Sequence, residues 1–285
     1  MKVPTLLEDY PHKEIGNASY FPYLDNQVYR NSVGMSYSKI RRFGQSQLHA
    51  LEELTKLTPS MNFEFAAHAL IVEGEGSFFT DIATCNGNPY SDSNIEKTVE
   101  DMNKGLFVIS NTQKDTLYSM ANSLVPESRA YLKPGKDYPQ ALDSSYGASI
   151  YWYEQGLICK TRPGVVINPI ETTNNKNSIV LVNFVITDNC SVEGFKNSMK
   201  ENSYHHQAAW DKRGFEEAGF VVNDVVFVAQ EKKLPYASKV FKMNHTDMEI
   251  GWNFLSEYLE DYNKFLNGAP ATIYNSPNVV DLDKI

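Results

Sequence analysis

The stretch Ile179–Asp188, IVLVNFVITD, limits the possible folds more than any other part of the sequence. It is almost entirely apolar and rich in β-branched side chains, which is typical of a strand buried on both faces. Side chains alternate along a strand, so Asn183 and Val185 share one face while Val182 and Phe184 lie on the other. Such a strand needs packed layers on both sides of a sheet. By itself, Asn183 is explained as a core amide with its own hydrogen bonds.

Hydrophobic spacing predicts the other elements. Residues 1–34 are rich in Tyr, Asn and Pro without steady periodicity, and we expect an irregular arm there. Two strands should join near Gln155 and Gly156, and helices and strands should alternate after Asp188. Helices are predicted over 36–55, 61–72, 94–103, 112–124 and 246–267, with a loop over 76–92.

This order of elements predicts one α/β or α+β domain, with a central sheet preceded by an N-terminal helical part. We expect the domain to span 35–270, its helical part 35–140 and its sheet-containing core 141–270, with a tail over 271–285. A chain of 285 residues with 42% hydrophobic and 12% aromatic content can bury a substantial core.

Charge and cysteine content argue against several classes of protein. A net charge of −9 argues against indiscriminate binding of nucleic acid by a basic surface, although it allows a local basic groove. Three distant cysteines suggest neither a disulfide framework nor a zinc site, and they suit a reducing compartment. No apolar run resembles a signal peptide or approaches the roughly 18 residues of a membrane span. We therefore expect a soluble intracellular protein.

Common catalytic motifs are absent from the sequence. It contains no glycine-rich phosphate loop, no GxSxG elbow and no HExxH helix. His205 and His206 are adjacent on a predicted helix, so they point about 100° apart and make poor joint metal ligands. No metal site is predicted from these residues.

Four segments taken together do resemble a known family. They are FEFAAHALIVEGEGSF, SIYWYEQGLICKTRPG, IVLVNFVITDNCSVEGFKNSM and YHHQAAW, in that order. They resemble the exonuclease-VIII-type branch of the PD-(D/E)xK nuclease superfamily, which comprises phage and prophage recombination exonucleases. The resemblance spans roughly 29–270. It implies a restriction-endonuclease-like core, in which helices flank a central mixed sheet, and a homo-oligomer that encircles DNA.

The resemblance also implies a set of catalytic positions. In this family a Glu and two Asp bind Mg²⁺ or Mn²⁺, a Lys assists the attacking water, and a His and a Gln complete the pocket. His68 and Gln207 match the family His and Gln. The Glu position falls on Gly147 and the first Asp position on Gly164. The Asp-x-Lys pair falls on Asn183 and Val185.

The three carboxylates and the lysine are thus missing together. We expect no intact catalytic site and no metal cofactor, since neutral side chains cannot replace three negative charges. The acids nearest in sequence are Asp143, Glu154, Glu171 and Asp188, and Asp143 is the strongest candidate to restore a site. Mg²⁺ or Mn²⁺ would be the cofactor only if such an acid restores activity.

Residues that could contact nucleic acid remain. Near the predicted cleft, the candidates are Lys160, Arg162, Tyr204, His205 and Gln207. A second basic cluster, Arg30, Lys39, Arg41 and Arg42, could grip phosphates or form a solvated face.

Three functions remain open. The first is a pseudoenzyme encoded by a bacteriophage, which binds duplex DNA ends, a DNA recombination partner or a virion component. The second is an active metal-dependent exonuclease with acids from other positions. The third is a structural or inhibitory protein that has no nucleic-acid role and whose acidic surface binds a phage or host protein. The expected location is the cytoplasm of an infected host cell or the virion, without membrane attachment.

Overall fold

A computed structural model describes residues 7–51, 58–133, 141–169 and 177–272. The strands are β1 (Lys13–Ile15), β2 (Ala18–Phe21), β3 (Met35–Ser36), β4 (Ile82–Cys85), β5 (Phe107–Ser110), β6 (Ala141–Tyr146), β7 (Ser149–Glu154), β8 (Leu157–Thr161), β9 (Val165–Pro169), β10 (Ser178–Thr187), β11 (Val221–Glu231) and β12 (Ser238–Lys242).

Helices occur along the whole described chain, and a π-helical turn over His68–Glu73 directly follows α4. The α-helices are α1 (Asn26–Asn31), α2 (Tyr37–Gln45), α3 (Gln47–Leu51), α4 (Pro59–Ala67), α5 (Glu75–Asp81), α6 (Ile95–Asn103), α7 (Asn111–Ser123), α8 (Pro126–Leu132), α9 (Val192–Asn202), α10 (Tyr204–Glu217) and α11 (His245–Leu266).

The main sheet has the strand order β12-β11-β10-β9-β6, with β10 at its centre. Strand β10 pairs in parallel with β11 and antiparallel with β9, so the sheet is mixed, as predicted. A parallel pair needs a long crossover connection, and the chain between β10 and β11 forms α9 and α10.

Both faces of β10 are buried, which confirms the prediction from its sequence. Ile179 and Leu181 pack in one cluster with Trp210 of α10, and Val182 packs in a second cluster with Leu70 of the π-helical turn. Burial of each such side chain contributes about 1.5–3 kcal/mol to folding. The strand therefore holds both helical layers against the sheet and fixes the position of Asn183 between them.

The N-terminal segment differs from the predicted irregular arm. Strands β1 and β2 extend a second sheet of order β1-β2-β7-β8-β3, and β2 pairs antiparallel with β7. Helix α1 follows, capped by the Asp25 carboxylate, which accepts from the backbone N–H groups of Gln27 and Val28. The sequence signal was weak because these strands are short and draw their stability from the pairing with β7.

Two predicted elements also differ from the structure. The helix predicted over 36–55 is interrupted at Ser46, whose backbone is extended (φ −161°, ψ 110°). The loop predicted over 76–92 contains α5 and β4, because Phe78 is buried and β4 pairs in parallel with β5. Tertiary pairing here outweighs a Gly-, Asn- and Ser-rich composition. Among the described helices, none is both long and apolar enough to cross a bilayer.

Candidate functional site

A cleft of about 610 Å³ lies beside the second half of β10. Its base includes Val185 and the segment between β8 and β9, and its walls come from α1, α2, α4, the π-helical turn and α10. Aromatic rings and charged groups line it in similar number. The aromatic residues are Tyr29, Tyr37, Phe65, Phe107, Phe184 and Tyr204, and the charged ones are Arg30, Arg41, Arg162, His68, Glu64, Glu73 and Asp81.

The positions that match the family's catalytic residues come together at this cleft. A Cβ atom built on Gly164 would lie 3.3 Å from His68 Nε2 and 3.0 Å from the Val182 carbonyl oxygen. Gln207 Nε2 donates to Asn183 Oδ1 at 3.3 Å, and both Val185 and Gln207 line the cleft. These positions, which are distant in the sequence, are therefore neighbours in space.

Gly147 belongs to the edge of the same region. Its backbone has a φ of +72°, and a Cβ there would lie 2.8 Å from an Arg162 guanidinium nitrogen and 3.2 Å from the Leu24 carbonyl oxygen. A glutamate at this position would be strained by its backbone and by its neighbours. Gly147 is thus required by the local structure.

Asn183 lies at the centre of a buried hydrogen-bond network. It is 4% exposed, and its Nδ2 donates to Asp211 Oδ2 at 2.8 Å. The Thr161 hydroxyl donates to the other Asp211 oxygen, while Asn183 Oδ1 accepts from Gln207. Burial raises the pKa of Asp211 to about 6, although its hydrogen bonds with Thr161 and Asn183 oppose the shift. Strand β10 carries no carboxylate at this position, but Asp211 of α10 places one within hydrogen-bond distance of Asn183.

The π-helical turn creates a second polar pair. It brings His68 and Glu73 together, with His68 Nδ1 at 3.3 Å from a Glu73 oxygen. Asn26 Nδ2 donates to both Glu73 and Asp81, at 3.0 and 2.9 Å. Burial would raise the pKa of Glu73, but the hydrogen bond and charge of His68, with the charge of Arg162, lower it to about 2. Glu73 therefore stays ionised and orients His68, so that His68 Nε2 faces Gly164.

Lys160 lies beneath the cleft and does not line it. The side chain is 3% exposed, and its ammonium donates to the carbonyl oxygens of Tyr29 and Ser32, each at 2.7 Å. Burial lowers its pKa to about 8. These bonds join α1 to β8, which is a structural role, and they leave Lys160 out of reach of a nucleic acid in the cleft.

Arg162, Tyr204 and Gln207 line the cleft, whereas His205 does not. The Arg162 side chain is only 8% exposed, lies 3.7 Å from Glu73, and has a buried Nη1 that makes no hydrogen bond. Burial lowers the pKa of His205, and the charge of Asp247 on α11 opposes this shift.

The basic cluster Arg30, Lys39, Arg41 and Arg42 divides in the same way. Arg30 and Arg41 line the cleft, while Lys39 and Arg42 do not. The Arg30 guanidinium lies 4.2 Å from the centre of the Phe107 ring, and desolvation lowers its pKa while the charge of Asp81 opposes the shift. Two of the four residues therefore contribute charge to the cleft.

Of the four acids considered as replacements for the missing ligands, the two whose side chains the structure describes pair elsewhere. Glu154 pairs with Arg213 at 2.8 Å, and Asp188 pairs with Lys232 at 3.1 Å. Glu171 and the Asp143 side chain lie outside the described residues, although the Asp143 backbone belongs to β6.

Sequence reasoning missed the acids that do surround the site. Asp211 lies four residues after Gln207 on α10, and this helical spacing could have placed the two on one face. Glu73 lies five residues after His68, and only the π-helical turn brings them together. No signal in the sequence marked that turn.

The neutral residues at the family's metal positions do not fit a Mg²⁺ site. The Asn183 oxygen already accepts from Gln207, and Gly164 and Val185 offer no side-chain ligand. Within residues 7–51, 58–133, 141–169 and 177–272, no three His, Cys, Asp or Glu side chains are grouped so as to hold a metal ion.

Comparison with solved structures supports a nuclease-like fold. A crystal structure from Eubacterium rectale described as a "putative exonuclease" matches with a TM-score of 0.50 and 11% sequence identity. The match covers 90% of this chain and 94% of that one. No protein-family model and no curated protein sequence matches the chain. The likeness is one of fold: helices around mixed sheets, as predicted.

Proposed function

We propose that this chain is a pseudoenzyme of the PD-(D/E)xK exonuclease type, which binds nucleic-acid ends in its cleft without hydrolysing them through metal ions. The phage recombination branch, and an oligomer that encloses DNA, are part of the proposal through the sequence resemblance alone. Location in the infected host cell or the virion follows from the same resemblance.

One observation carries the proposal: Asn183 is bound on both sides by Asp211 and Gln207 at the place where metal chemistry would need free carboxylates. Its Nδ2 already donates to a buried acid, and its Oδ1 already accepts a hydrogen bond. A metal ion at Asn183 would share its Oδ1 with Gln207, and the neighbouring positions Gly164 and Val185 offer it no side-chain ligand. The network is satisfied without a cation.

The lining of the cleft supports binding. Arg30, Arg41 and Arg162 supply positive charge, and exposed parts of aromatic rings such as Phe65 can stack on bases. Three acids, Glu64, Glu73 and Asp81, also line the cleft; Glu73 lies beside His68 and Arg162, and Asn26 donates to Glu73 and Asp81. The cleft can therefore hold an anionic strand despite the net charge of −9.

The test measures cleavage and binding of linear duplex DNA. We expect no degradation with Mg²⁺ or Mn²⁺, and retention of DNA ends that weakens as salt increases. Arg162→Gln should reduce retention about tenfold, whereas Arg213→Gln, the same charge change outside the cleft, should not. Robust degradation that His68→Ala abolishes would overturn the pseudoenzyme. Absence of DNA binding by the wild-type protein would favour a partner protein instead.

A further inference from the structure

In each hydrogen bond around Asn183, only one of the two partners can be the donor. An ionised carboxylate can only accept, so Thr161 and Asn183 must both donate to Asp211. Asn183 Nδ2 therefore faces Asp211, which turns its Oδ1 toward Gln207. Gln207 in turn must direct Nε2 to Asn183. Asp211, 3% exposed, thus sets the orientation of an amide that lines the cleft.

This orientation determines what Gln207 offers to a ligand. Its Nε2 donates one hydrogen to Asn183, so the carbonyl oxygen Oε1 and the second N–H remain for the cleft. An acceptor beside a donor complements the adenine edge, where N6 donates and N7 accepts. A guanine edge, with two acceptors at O6 and N7, fits this arrangement less well.

Other residues of the cleft can stack on the base and bind the phosphate of a nucleotide. Aromatic rings on several walls can hold a planar base, and the volume of about 610 Å³ is ample for one nucleotide. Arg162 lines the same cleft, and a phosphate oxygen there could accept from its guanidinium group.

We propose that the cleft binds an adenine nucleotide, with Gln207 reading the base, Asp211 fixing the orientation of Gln207 through Asn183, and Arg162 binding the phosphate. This inference rests on the proposed function, because the adenine nucleotide would be the last nucleotide of a bound DNA end. A free nucleotide has the same chemistry. Asp211 acts as a positioning residue because it never contacts the ligand.

The decisive variant is Asp211→Asn. In this variant the new amide can keep its oxygen toward Thr161 and donate with its nitrogen to Asn183, and in that arrangement both Asn183 and Gln207 flip. Gln207 would then accept from Asn183 with Oε1 and present N–H donors to the cleft, which suits guanine. A change in base preference, with unchanged affinity for phosphate, is a result that a purely structural role would not produce.

The experiment is calorimetric titration with AMP and GMP, and with duplexes that differ only in a terminal A or G. For the wild type we expect a preference of about tenfold or more for adenine, since one bidentate base contact is worth about 1–3 kcal/mol. Asp211→Asn should remove or reverse that preference. Gln207→Leu, at a half-buried position and therefore less disruptive, should abolish it while leaving phosphate-dependent binding. Arg162→Gln should weaken both nucleotides equally.

The outcomes separate the two proposals. Binding of duplex ends with an equal affinity for A and G would overturn base reading and leave the proposed function standing. Binding of AMP over GMP without binding of duplex ends would support base reading and refute DNA ends as the source. An adenine preference that persists in Gln207→Leu would refute the role of Gln207. No binding of AMP or of either duplex would overturn the inference altogether.

Discussion

Replacement of Asp211 by Asn should change how stability depends on pH. The pKa of this carboxyl is raised from 3.8 to about 6, mainly by burial. The folded protein therefore binds the Asp211 proton more tightly than the unfolded chain does. The stability that Asp211 contributes is fully present below about pH 4, and it is lost as the pH rises through 6.

The size of the effect follows from the shift. A shift of about two pKa units corresponds to about 3 kcal/mol at 1.36 kcal/mol per unit. Asp211 is almost completely buried, so solvent screening reduces this value little. Relative to Asp211→Asn, the wild-type protein should thus lose about 3 kcal/mol of unfolding free energy between about pH 4 and pH 7.

Urea unfolding at several pH values provides the measurement, with fluorescence of the buried Trp152 and Trp210 as the signal. Asp188→Asn is the matched control, because Asp188 is 69% exposed and its pair with Lys232 contributes little. A stability difference between the wild-type protein and Asp211→Asn that stays constant from pH 4 to pH 7 would refute the reasoning.

Three further predictions follow from the same geometry. Glu73→Gln should cost about 3 kcal/mol at pH 7, because the pKa of Glu73 is lowered from 4.5 to about 2; the loss should shrink as the pH falls below 4.5, as acid unfolding curves would reveal. Gly164→Asp should lower the melting temperature, since its Cβ would press on a backbone carbonyl at 3.0 Å, and added Mg²⁺ should not restore it. Gly44→Ala, whose Cβ would lie 2.2 Å from the Tyr258 ring, should cost about 1–3 kcal/mol in urea unfolding, whereas Gly76→Ala, with open space around it, should not.

Much of the core was predictable because its signals are local. The run from Ile179 to Thr187 is so apolar that only a strand covered on both faces accommodates it, and the regular spacing in 246–267 matches α11. The order of four motifs predicted that His68, Gly164, Asn183 and Gln207 would lie together. In the structure, Gly164 lies next to His68, and Gln207 donates to Asn183.

What the sequence did not reveal depends on contacts between distant segments. The N-terminal strands form because β7 offers an edge, and the short β4 forms because β5 lies beside it. The pairing of Glu73 with His68 needs one extra residue in a helical turn, and an α-helical reading of 61–72 places them apart. Burial of Lys160 could not be read from its flanking residues, which also suit an exposed strand end.

The position of Lys160 determines where the chain can be shortened. Its ammonium is held by the carbonyl oxygens at the end of α1, and it has no carboxylate among its hydrogen-bond partners. Removal of residues 7–34 would take away these acceptors together with part of the cover over Lys160, and would also strip two strands from the second sheet. We therefore expect a truncation that begins at residue 35, although it matches the predicted domain, to be less stable, because it also exposes Tyr151 on β7. A productive fragment for crystallisation must retain the N-terminal segment.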